Sequence, residues 1–282
     1  MKKSLLIKNK EVIVEKLSQT CLFNRSDLYR VVEDLKLAKL IPQYKNFKAV
    51  YEFFIEIGLI VYIFELNNRI IERYSMQKEI NGYQLAYSIK SKSFFSMTTA
   101  LNLQGYSDIR KDYIFLSSEL TPKEIHTEEL TQDSIDNAYK KPYRMTKNYG
   151  KFKENYIVLL SPKNTAQFEV IDFNNYRVSS INRAFVEIVI NIQYFQGSLT
   201  VIQLFKPLKL QLDVTRIFTI IEKFNFIYPY YQLFGYMLEQ IGFNKLELKD
   251  FKAKINSLKL YTDKNKMTYL YDEYWQIFYM DK

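Results

Sequence analysis

The order of predicted elements in the first eighty residues restricts the fold of this chain more than any other feature. Apolar residues recur at helical spacing in three segments, which are residues 7–19, 25–41 and 46–57. Pro42 would end the second helix, because proline disfavours helical backbone at the residue before it, and Gly58 would end the third. Two extended runs follow, separated by Asn67 and Asn68, and asparagine tolerates the positive φ of a tight two-residue turn. The sequence therefore predicts three helices followed by a β-hairpin.

Three helices and a hairpin are the elements of a winged helix-turn-helix domain, and this order predicts DNA binding. The third helix would enter the major groove, and the hairpin, or wing, would lie along the backbone. The expected contacts lie on the exposed side of the third helix and around the wing tip: Lys45, Asn46, Lys48, Tyr51, Asn67, Asn68, Arg69 and Arg73. Lysine and arginine would mainly neutralise phosphates, whereas Asn46 would read an adenine edge.

A winged helix can also serve as a protein-interaction module, and this alternative stays open. Glu52 and Glu56 belong to the same predicted helix and would repel phosphate if they faced it. The formal charge of +9 is compatible with a polyanionic partner but does not require one, because the excess is spread along the chain.

The composition argues against several classes of enzyme. Cys21 and His126 are the only residues of their types, so an intrachain disulfide and a Cys/His zinc cluster are excluded. A hydrolase of the Ser-His-Asp type would have to use His126, which lies in a polar stretch and is expected to be a solvated surface residue. Neither GxGxxG nor GxxxxGK[ST] occurs. We therefore expect no catalytic activity, no cofactor and no metal.

The hydropathy pattern predicts a soluble cytoplasmic protein. The first residues contain an apolar run too short for a signal peptide, and the apolar residues 57–64 are too few to span a bilayer. A polar joint with a turn signal at Asn81 and Gly82 places a domain boundary near residue 80. The expected domains are residues 1–79, the winged helix-turn-helix, and residues 80–282.

The second domain is predicted to mix strands and helices. It would begin with a strand at residues 86–89, a helix that ends at Gly105 and a strand at residues 113–116. Further strands are expected at residues 156–160 and 168–173, and a final strand at residues 274–279 would return to the sheet. Helical spacing recurs at residues 185–192, 199–205, 214–224 and 230–241. The fold class is thus α+β, with a helical C-terminal half.

Residues 139–153 combine basic and aromatic side chains and follow a polar, acidic stretch that predicts a surface loop or a short exposed helix. Such a combination suits a nucleic-acid groove or an acidic protein partner. The alternative is a solvated strand pair joined at residues 148–150. The basic residues of this segment are Lys140, Lys141, Arg144, Lys147, Lys151 and Lys153.

Several short phrases of the second domain resemble, in the same order, the antitoxin domain of the AbiEi family. They are LQGY at residues 103–106 followed by Asp108, SSINRAFVE at 179–187, QYFQG at 193–197, FGYMLE at 234–239, and the end of the chain from 260 to 275. In the second phrase Arg183 matches the family, whereas Ala184 stands in place of a threonine and Glu187 in place of an aspartate. Gly197 is single where the family often has a pair.

The resemblance implies a bifunctional antitoxin of an abortive-infection toxin–antitoxin pair. Its winged helix would repress the operon by binding inverted repeats in the promoter. Its larger domain would counteract a nucleotidyltransferase-like toxin, directly or indirectly. The residues that we assign to antitoxin function are Lys140, Lys141, Arg144, Lys147, Arg183 and Glu187.

Four alternatives to this interpretation remain. Arg183 and Glu187 are one helical turn apart, so they could instead form a structural pair that holds the helix against the sheet. A metal-dependent nuclease would use Glu169 and Asp172 with Glu187. A winged-helix adaptor for proteins, or a stand-alone regulator without a toxin, would need none of these residues.

Overall fold

The computed structural model describes residues 4–122, 129–264 and 266–280. Within these residues the protein is of the α+β class, with twelve α-helices and eleven strands in three sheets. The chain forms two compact units: unit 1 holds residues 1–92 and 148–158, and unit 2 holds residues 93–147 and 159–282. Unit 1 thus extends to residue 92 and includes a second, distant segment. None of the described helices is long and apolar enough to cross a bilayer.

Unit 1 begins with four helices: α1 (Leu5–Lys8), α2 (Lys10–Ser18), α3 (Arg25–Leu37) and α4 (Phe47–Glu56). The first predicted helix is divided at Asn9, whose side-chain amide donates to the carbonyl of Leu40 at 2.8 Å. The expected end of α3 at Pro42 was wrong. The helix ends at Leu37, because Lys39 takes a left-handed conformation with φ 56°. The amide of Leu40 then donates to the carbonyl of Leu35 at 2.9 Å, which closes the end of the helix.

The predicted hairpin is present, formed by β1 (Ile60–Leu66) and β2 (Arg69–Ser75). Asn67 and Asn68 connect the strands with φ values of 47° and 59°, as a type I′ turn requires. Helices and hairpin enclose a common core of apolar side chains, which includes Ile13, Leu17, Leu28, Val32, Leu35, Val50, Phe54 and Tyr74.

The strand expected at residues 86–89 was wrong, because this segment belongs to helix α5 (Gly82–Ile89). The helix begins with a capping box. The Asn81 side chain accepts from the amide of Gln84 at 2.9 Å, and the Gln84 side chain accepts from the amide of Asn81 at 2.8 Å. This cap lies in the polar joint, so the turn expected at Asn81 and Gly82 is the start of a helix instead.

A second hairpin consists of β5 (Tyr149–Phe152) and β6 (Asn155–Leu160), and its residues up to Val158 belong to unit 1. The turn lies at Lys153, with φ 52°, and not at residues 148–150 as the strand-pair alternative required. Gly150 is needed for a different reason. A Cβ atom there would lie 2.0 Å from the carbonyl oxygen of Glu65 and 2.8 Å from the ring of Phe64. Close approach of β5 to β1 therefore excludes a side chain at this position.

In unit 2 the strands of the largest sheet follow the order β4 (Tyr113–Ser117), β3 (Phe94–Phe95), β8 (Tyr176–Ser179) and β7 (Val170–Phe173). Strand β3 is antiparallel to β4 and parallel to β8, and β7 is antiparallel to β8. The predicted strand at residues 113–116 is confirmed. The helix that follows β3 is α6 (Met97–Leu103), and Gly105 turns the chain behind it with φ 78°.

The predicted helical half is present. After α7 (Gln132–Lys140) come α8 (Ile181–Ile190), α9 (Ser198–Phe205), α10 (Val214–Phe224), α11 (Tyr231–Ile241) and α12 (Lys249–Ala253), with short 3-10 helices at Ile192–Phe195 and Lys206–Gln211. Gly235 in α11 packs closely, as expected: a Cβ atom there would lie 2.0 Å from the Trp275 ring. His126 lies outside the described residues.

The C-terminal strand does not return to the large sheet. Strands β9 (Leu260–Tyr261), β10 (Leu270–Asp272) and β11 (Ile277–Tyr279) form a separate sheet in the order β10-β11-β9. The expected strand is shortened because Gln276 has a positive φ of 54°. Trp275, which precedes it, is fully buried, and its indole N–H donates to the carboxylate of Glu239.

Candidate functional site

The first turn of α4 carries the exposed cationic and polar side chains predicted for this helix. Asn46 caps the helix, since its Oδ1 accepts from the amide of Ala49 at 2.9 Å. Lys48 is exposed and Lys45 is half-buried. Val50 and Phe54 face the core on the opposite side. The cap occupies the oxygen that a bidentate contact with adenine would use, so base reading by Asn46 would require that oxygen to be shared.

Tyr51 belongs to a row of aromatic rings along unit 1. Tyr29 stacks on Phe47 with ring centroids 3.7 Å apart, and Tyr51 lies 6.0 Å from Phe47. The ring of Tyr51 also meets the buried Tyr74 edge-on at 5.9 Å. Tyr51 is thus half-buried, with one side held by its neighbours and the other open.

At the tip of the hairpin, Asn67, Asn68 and Arg69 are all exposed. Asn67 is bound to the second hairpin, because its backbone amide donates to the carbonyl of Tyr149 at 3.2 Å and its side chain donates to Asn148 at 3.1 Å. Asn68 and Arg69 therefore remain the tip residues that are most available to a partner.

Arg73 is not a tip residue. It pairs with Tyr62 across the hairpin, is only 8 % exposed, and directs its guanidinium to the end of α5. Its Nε and Nη2 donate to the carbonyl of Ser88 at 3.1 and 2.9 Å, and Nη2 also donates to that of Ile89 at 3.1 Å. Burial lowers the pKa of Arg73. The side chain satisfies the last carbonyls of a helix, so its donors face the protein interior.

Carboxylates limit the cationic region of unit 1. Glu52 and Glu56 are exposed on α4, and Glu65 and Glu72 are exposed on the hairpin. The N-terminal end of a helix attracts anions through its free N–H groups. A phosphate is therefore favoured at the first turn of α4, near Lys48, and disfavoured farther along the helix.

The basic segment of unit 2 is exposed at Lys140, Lys141, Arg144 and Lys147. Lys140 is the last residue of α7, and the other three follow it in irregular backbone. Lys141 and Arg144 line a cavity of about 590 Å³, whereas Lys140 and Lys147 do not. The segment is thus divided between a concave site and an open surface.

Arg183 and Glu187 form the pair that their spacing allows, with Nε and Oε1 2.8 Å apart. Both side chains are buried inside unit 2. Arg183 also donates to Glu119 at 3.0 Å and to the Thr165 hydroxyl at 2.9 Å. The guanidinium carbon lies 4.7 Å from the ring centroid of Phe94. Glu187 accepts in addition from Ser179 and from the amide of Met97.

Sequence reasoning missed Glu119, which completes this network. Burial by itself would raise the pKa of Glu119, but hydrogen bonds from Thr165, Gln167 and Arg183 outweigh it and lower the pKa. Glu119 is 64 residues from Arg183. The one local signal is the position of Glu119 just after the buried strand β4. That position does not predict which residue the carboxylate would bind. The network joins β4, α8 and the loop before β7, which is a structural function.

The carboxylates of the nuclease alternative do not converge on one point. Glu169 pairs with Arg216 at 3.0 Å, whereas Asp172 is exposed and lies 3.9 Å from Arg177. Among the residues described, no three His, Cys, Asp or Glu side chains are grouped so as to hold a metal ion.

No protein-family model and no curated protein matches this chain. Among solved structures, the crystal structure of the Rv2827c protein from Mycobacterium tuberculosis is similar, with a TM-score of 0.55. The match covers 95% of this chain and 89% of that chain at 11% sequence identity. At this identity the likeness concerns the fold alone, and it extends over nearly the whole of both chains.

Proposed function

We propose that this protein is a DNA-binding repressor and antitoxin of a toxin–antitoxin operon, with unit 1 acting as a winged helix-turn-helix. The observation that carries the DNA-binding half is the cationic first turn of α4, which precedes a hairpin whose type I′ turn exposes Asn68 and Arg69. A helix end and a hairpin tip of this kind suit the major groove and the adjacent backbone of a duplex.

The proposed DNA face consists of Lys45, Asn46, Lys48, Tyr51, Asn68 and Arg69. Asn67 would support it from the hairpin, and Arg73 would act only by holding α5 to β2. Glu52 and Glu56 would lie away from the phosphates. Contacts of this type are mainly electrostatic, so the affinity should fall steeply as the salt concentration rises.

The test is binding of the purified chain to a duplex that carries an inverted repeat from the promoter of its own operon, followed by fluorescence anisotropy. The triple variant Lys45→Ala, Lys48→Ala, Arg69→Ala should lose affinity for every duplex, since these residues would neutralise phosphates. A matched control, Lys206→Ala, Lys249→Ala, Lys266→Ala, removes the same charge from exposed positions in unit 2. Equal binding by the triple variant and the wild type would refute the proposed face.

The antitoxin half rests on the ordered phrases that resemble the AbiEi family. Unit 2 would counteract a nucleotidyltransferase-like toxin, and the exposed residues Lys140 and Lys147 are the ones available to an acidic partner. Coexpression should restore growth to cells that produce the toxin of the adjacent gene. Failure to restore growth while operator binding persists would leave a stand-alone regulator.

A protein-interaction adaptor is the second candidate, and exposed apolar side chains on the hairpin favour it. Ile63 and Ile70 are 64 % and 72 % exposed and lie on the same face of the strand pair. Ile55 on α4 is also exposed. Copurification of a neighbouring gene product that depends on Ile63 and Ile70, without any DNA binding, would support this candidate instead.

A further inference from the structure

The cavity beside Lys141 and Arg144 lies wholly within unit 2 and has the size of a small-molecule site. Its volume is about 590 Å³, within the range of roughly 300–1,000 Å³ usual for ligand pockets. Its walls come from the end of α7, the segment after it, the end of α8, the chain before α11 and the residues after β9. None of its lining residues belongs to the proposed DNA face.

Four tyrosines line one part of this cavity: Tyr139, Tyr143, Tyr228 and Tyr230. The rings of Tyr228 and Tyr230 stack with centroids 5.7 Å apart. They offer a flat apolar surface of the kind on which nucleobases pack.

The phenol of Tyr139 is more than nine-tenths buried, at 8 % exposure. In the described part of the chain its hydroxyl has no hydrogen-bond partner. Burial raises the pKa of Tyr139 well above its ordinary value, so the group is a neutral O–H donor. The hydroxyl oxygen is not among the buried side-chain atoms without a partner, so it keeps some accessible surface, and Tyr139 lines the cavity. A ligand in the cavity could therefore accept a hydrogen bond from this hydroxyl.

Three cations line the same cavity: Lys141, Arg144 and Lys264. Within the described residues none of them forms an ion pair with a carboxylate. Burial, and then the charge of Arg144, lower the pKa of Lys264. The ammonium group lies 5.3 Å from the ring centroid of Tyr139. Like charges held near one another favour a bound anion.

The described lining of the cavity contains no Asp or Glu. Asp263, which lies between the lining residues Thr262 and Lys264 in the sequence, is a buried acid. Its carboxylate accepts from the amide and hydroxyl of Ser198 and from the Thr262 hydroxyl. These donors are neutral, so Asp263 keeps its negative charge and offsets part of the positive charge beside it. The lining still carries three cations and no acid, which leaves an excess of positive charge for a ligand.

We propose that this cavity binds a nucleoside phosphate. The phosphate lies among Lys141, Arg144 and Lys264, and the Tyr139 hydroxyl donates to it or to the sugar. The base packs on the rings of Tyr228 and Tyr230. The ligand is either a free nucleotide or the phosphorylated end of a single nucleic-acid strand, since both offer the same chemistry.

Calorimetric titration of the full chain tests this assignment. The probes are AMP, ATP, adenosine, inorganic phosphate and a 5′-phosphorylated oligoribonucleotide. A nucleotide should bind more tightly than adenosine or phosphate alone, because each of these uses only half of the site. Tighter binding of the oligonucleotide than of ATP would identify a strand end, and the reverse order would identify a free nucleotide.

Two variants separate the pocket from the surface around it. Arg144→Ala with Lys264→Ala should weaken nucleotide binding by about tenfold or more, as expected when charge-assisted hydrogen bonds are lost. The control, Lys140→Ala with Lys147→Ala, removes the same charge from neighbouring positions outside the cavity and should change binding less than about twofold. Tyr139→Phe keeps the ring and should weaken binding several-fold.

Operator binding should be unchanged in all three variants, which keeps this test separate from that of the DNA face. The proposal is overturned if no nucleotide binds at millimolar concentration, if phosphate binds as well as the nucleotides, or if both double variants lose affinity equally. A circular dichroism spectrum and a melting curve like those of the wild type establish that each variant is folded.

Discussion

The cations Lys48 and Arg69 of unit 1 have surroundings opposite to those of Arg183 in unit 2. In unit 1, Lys48 and Arg69 stand exposed at a helix end and a hairpin tip. In unit 2, Arg183 is fully buried with Glu119 and Glu187. An exposed charge is free to meet a partner and contributes little to stability, whereas a buried charge without its partner is costly. Burial, rather than residue type or a matching motif, therefore separates the cations that are accessible to a partner from those that hold the fold.

The largest effect is expected for Arg183→Ala, which leaves Glu119 and Glu187 buried without their shared cation. The free energy of unfolding should fall by about 3–5 kcal/mol, the usual cost of breaking a buried ion pair from one side. Urea denaturation measures this loss. Arg216→Ala is the matched control, because its partner Glu169 is held at 3.0 Å but the arginine is largely exposed.

In the control, Arg216→Ala, the free energy of unfolding should fall by no more than about 1 kcal/mol, as is usual for exposed ion pairs. An equal fall in the free energy of unfolding of Arg183→Ala and Arg216→Ala would mean that the Arg183 network is hydrated in solution. The contrast between buried and exposed cations would then be wrong.

Arg69 and Arg73 both belong to β2, but Arg69 is exposed and Arg73 is buried. Arg73→Ala should lower the free energy of unfolding by about 2 kcal/mol, because carbonyls of Ser88 and Ile89 lose a charged donor. Arg69→Ala should change stability by less than about 0.5 kcal/mol, as exposed substitutions usually do. Thermal and urea denaturation of both variants provide the measurement.

The same two variants should behave in the reverse way in the anisotropy assay. Arg69→Ala should weaken DNA binding, whereas folded Arg73→Ala should keep most of it. Loss of DNA affinity only in Arg73→Ala would return that residue to the DNA face.

The pH dependence of stability tests the buried network of Arg183, Glu119 and Glu187. The pKa of Glu119 is lower in the folded chain than its ordinary value of 4.5. The unfolded chain therefore takes up the proton first as the pH falls. The stabilisation by ionised Glu119 is fully present above the pKa that this residue has in the unfolded chain. It is lost as the pH falls through the lower pKa that Glu119 has in the folded chain. Urea denaturation from pH 6 to pH 3 should show this decline.

In Glu119→Gln the decline should be shallower, since a group with a lowered pKa has been removed. An unchanged slope would assign the acid sensitivity to other carboxylates.

The smallest effect is expected for Lys48→Ala. The logarithm of the DNA association constant should depend less steeply on the logarithm of the salt concentration, by about one unit of slope for one phosphate contact. Affinity should fall by a similar factor for operator and unrelated duplexes. Anisotropy titrations at several salt concentrations measure both quantities, and an unchanged slope would remove Lys48 from the phosphate contacts.

Local features of the fold were predictable from the sequence. The Asn67–Asn68 turn and helix α10 were placed correctly, because positive φ and the Asp213 cap depend on neighbouring residues only. Residues 86–89 were misassigned because the Asn81 capping box competed with a weak strand signal. The misplaced turn at Gly150 and the unexpected burial of Arg73 have another origin, because segments that are distant in the sequence pack against each of them.

The sequence by itself determined the α+β class, the β1–β2 hairpin and the helical segments before it, and the exposed Lys48 of α4, because periodicity, caps and turn residues act within a few positions. Only the tertiary structure decided which charges are buried. It joined Glu119 to Arg183 and brought Lys264 to the cavity beside Arg144. Desolvation depends on every segment that packs around a side chain, and no short stretch of sequence contains that information.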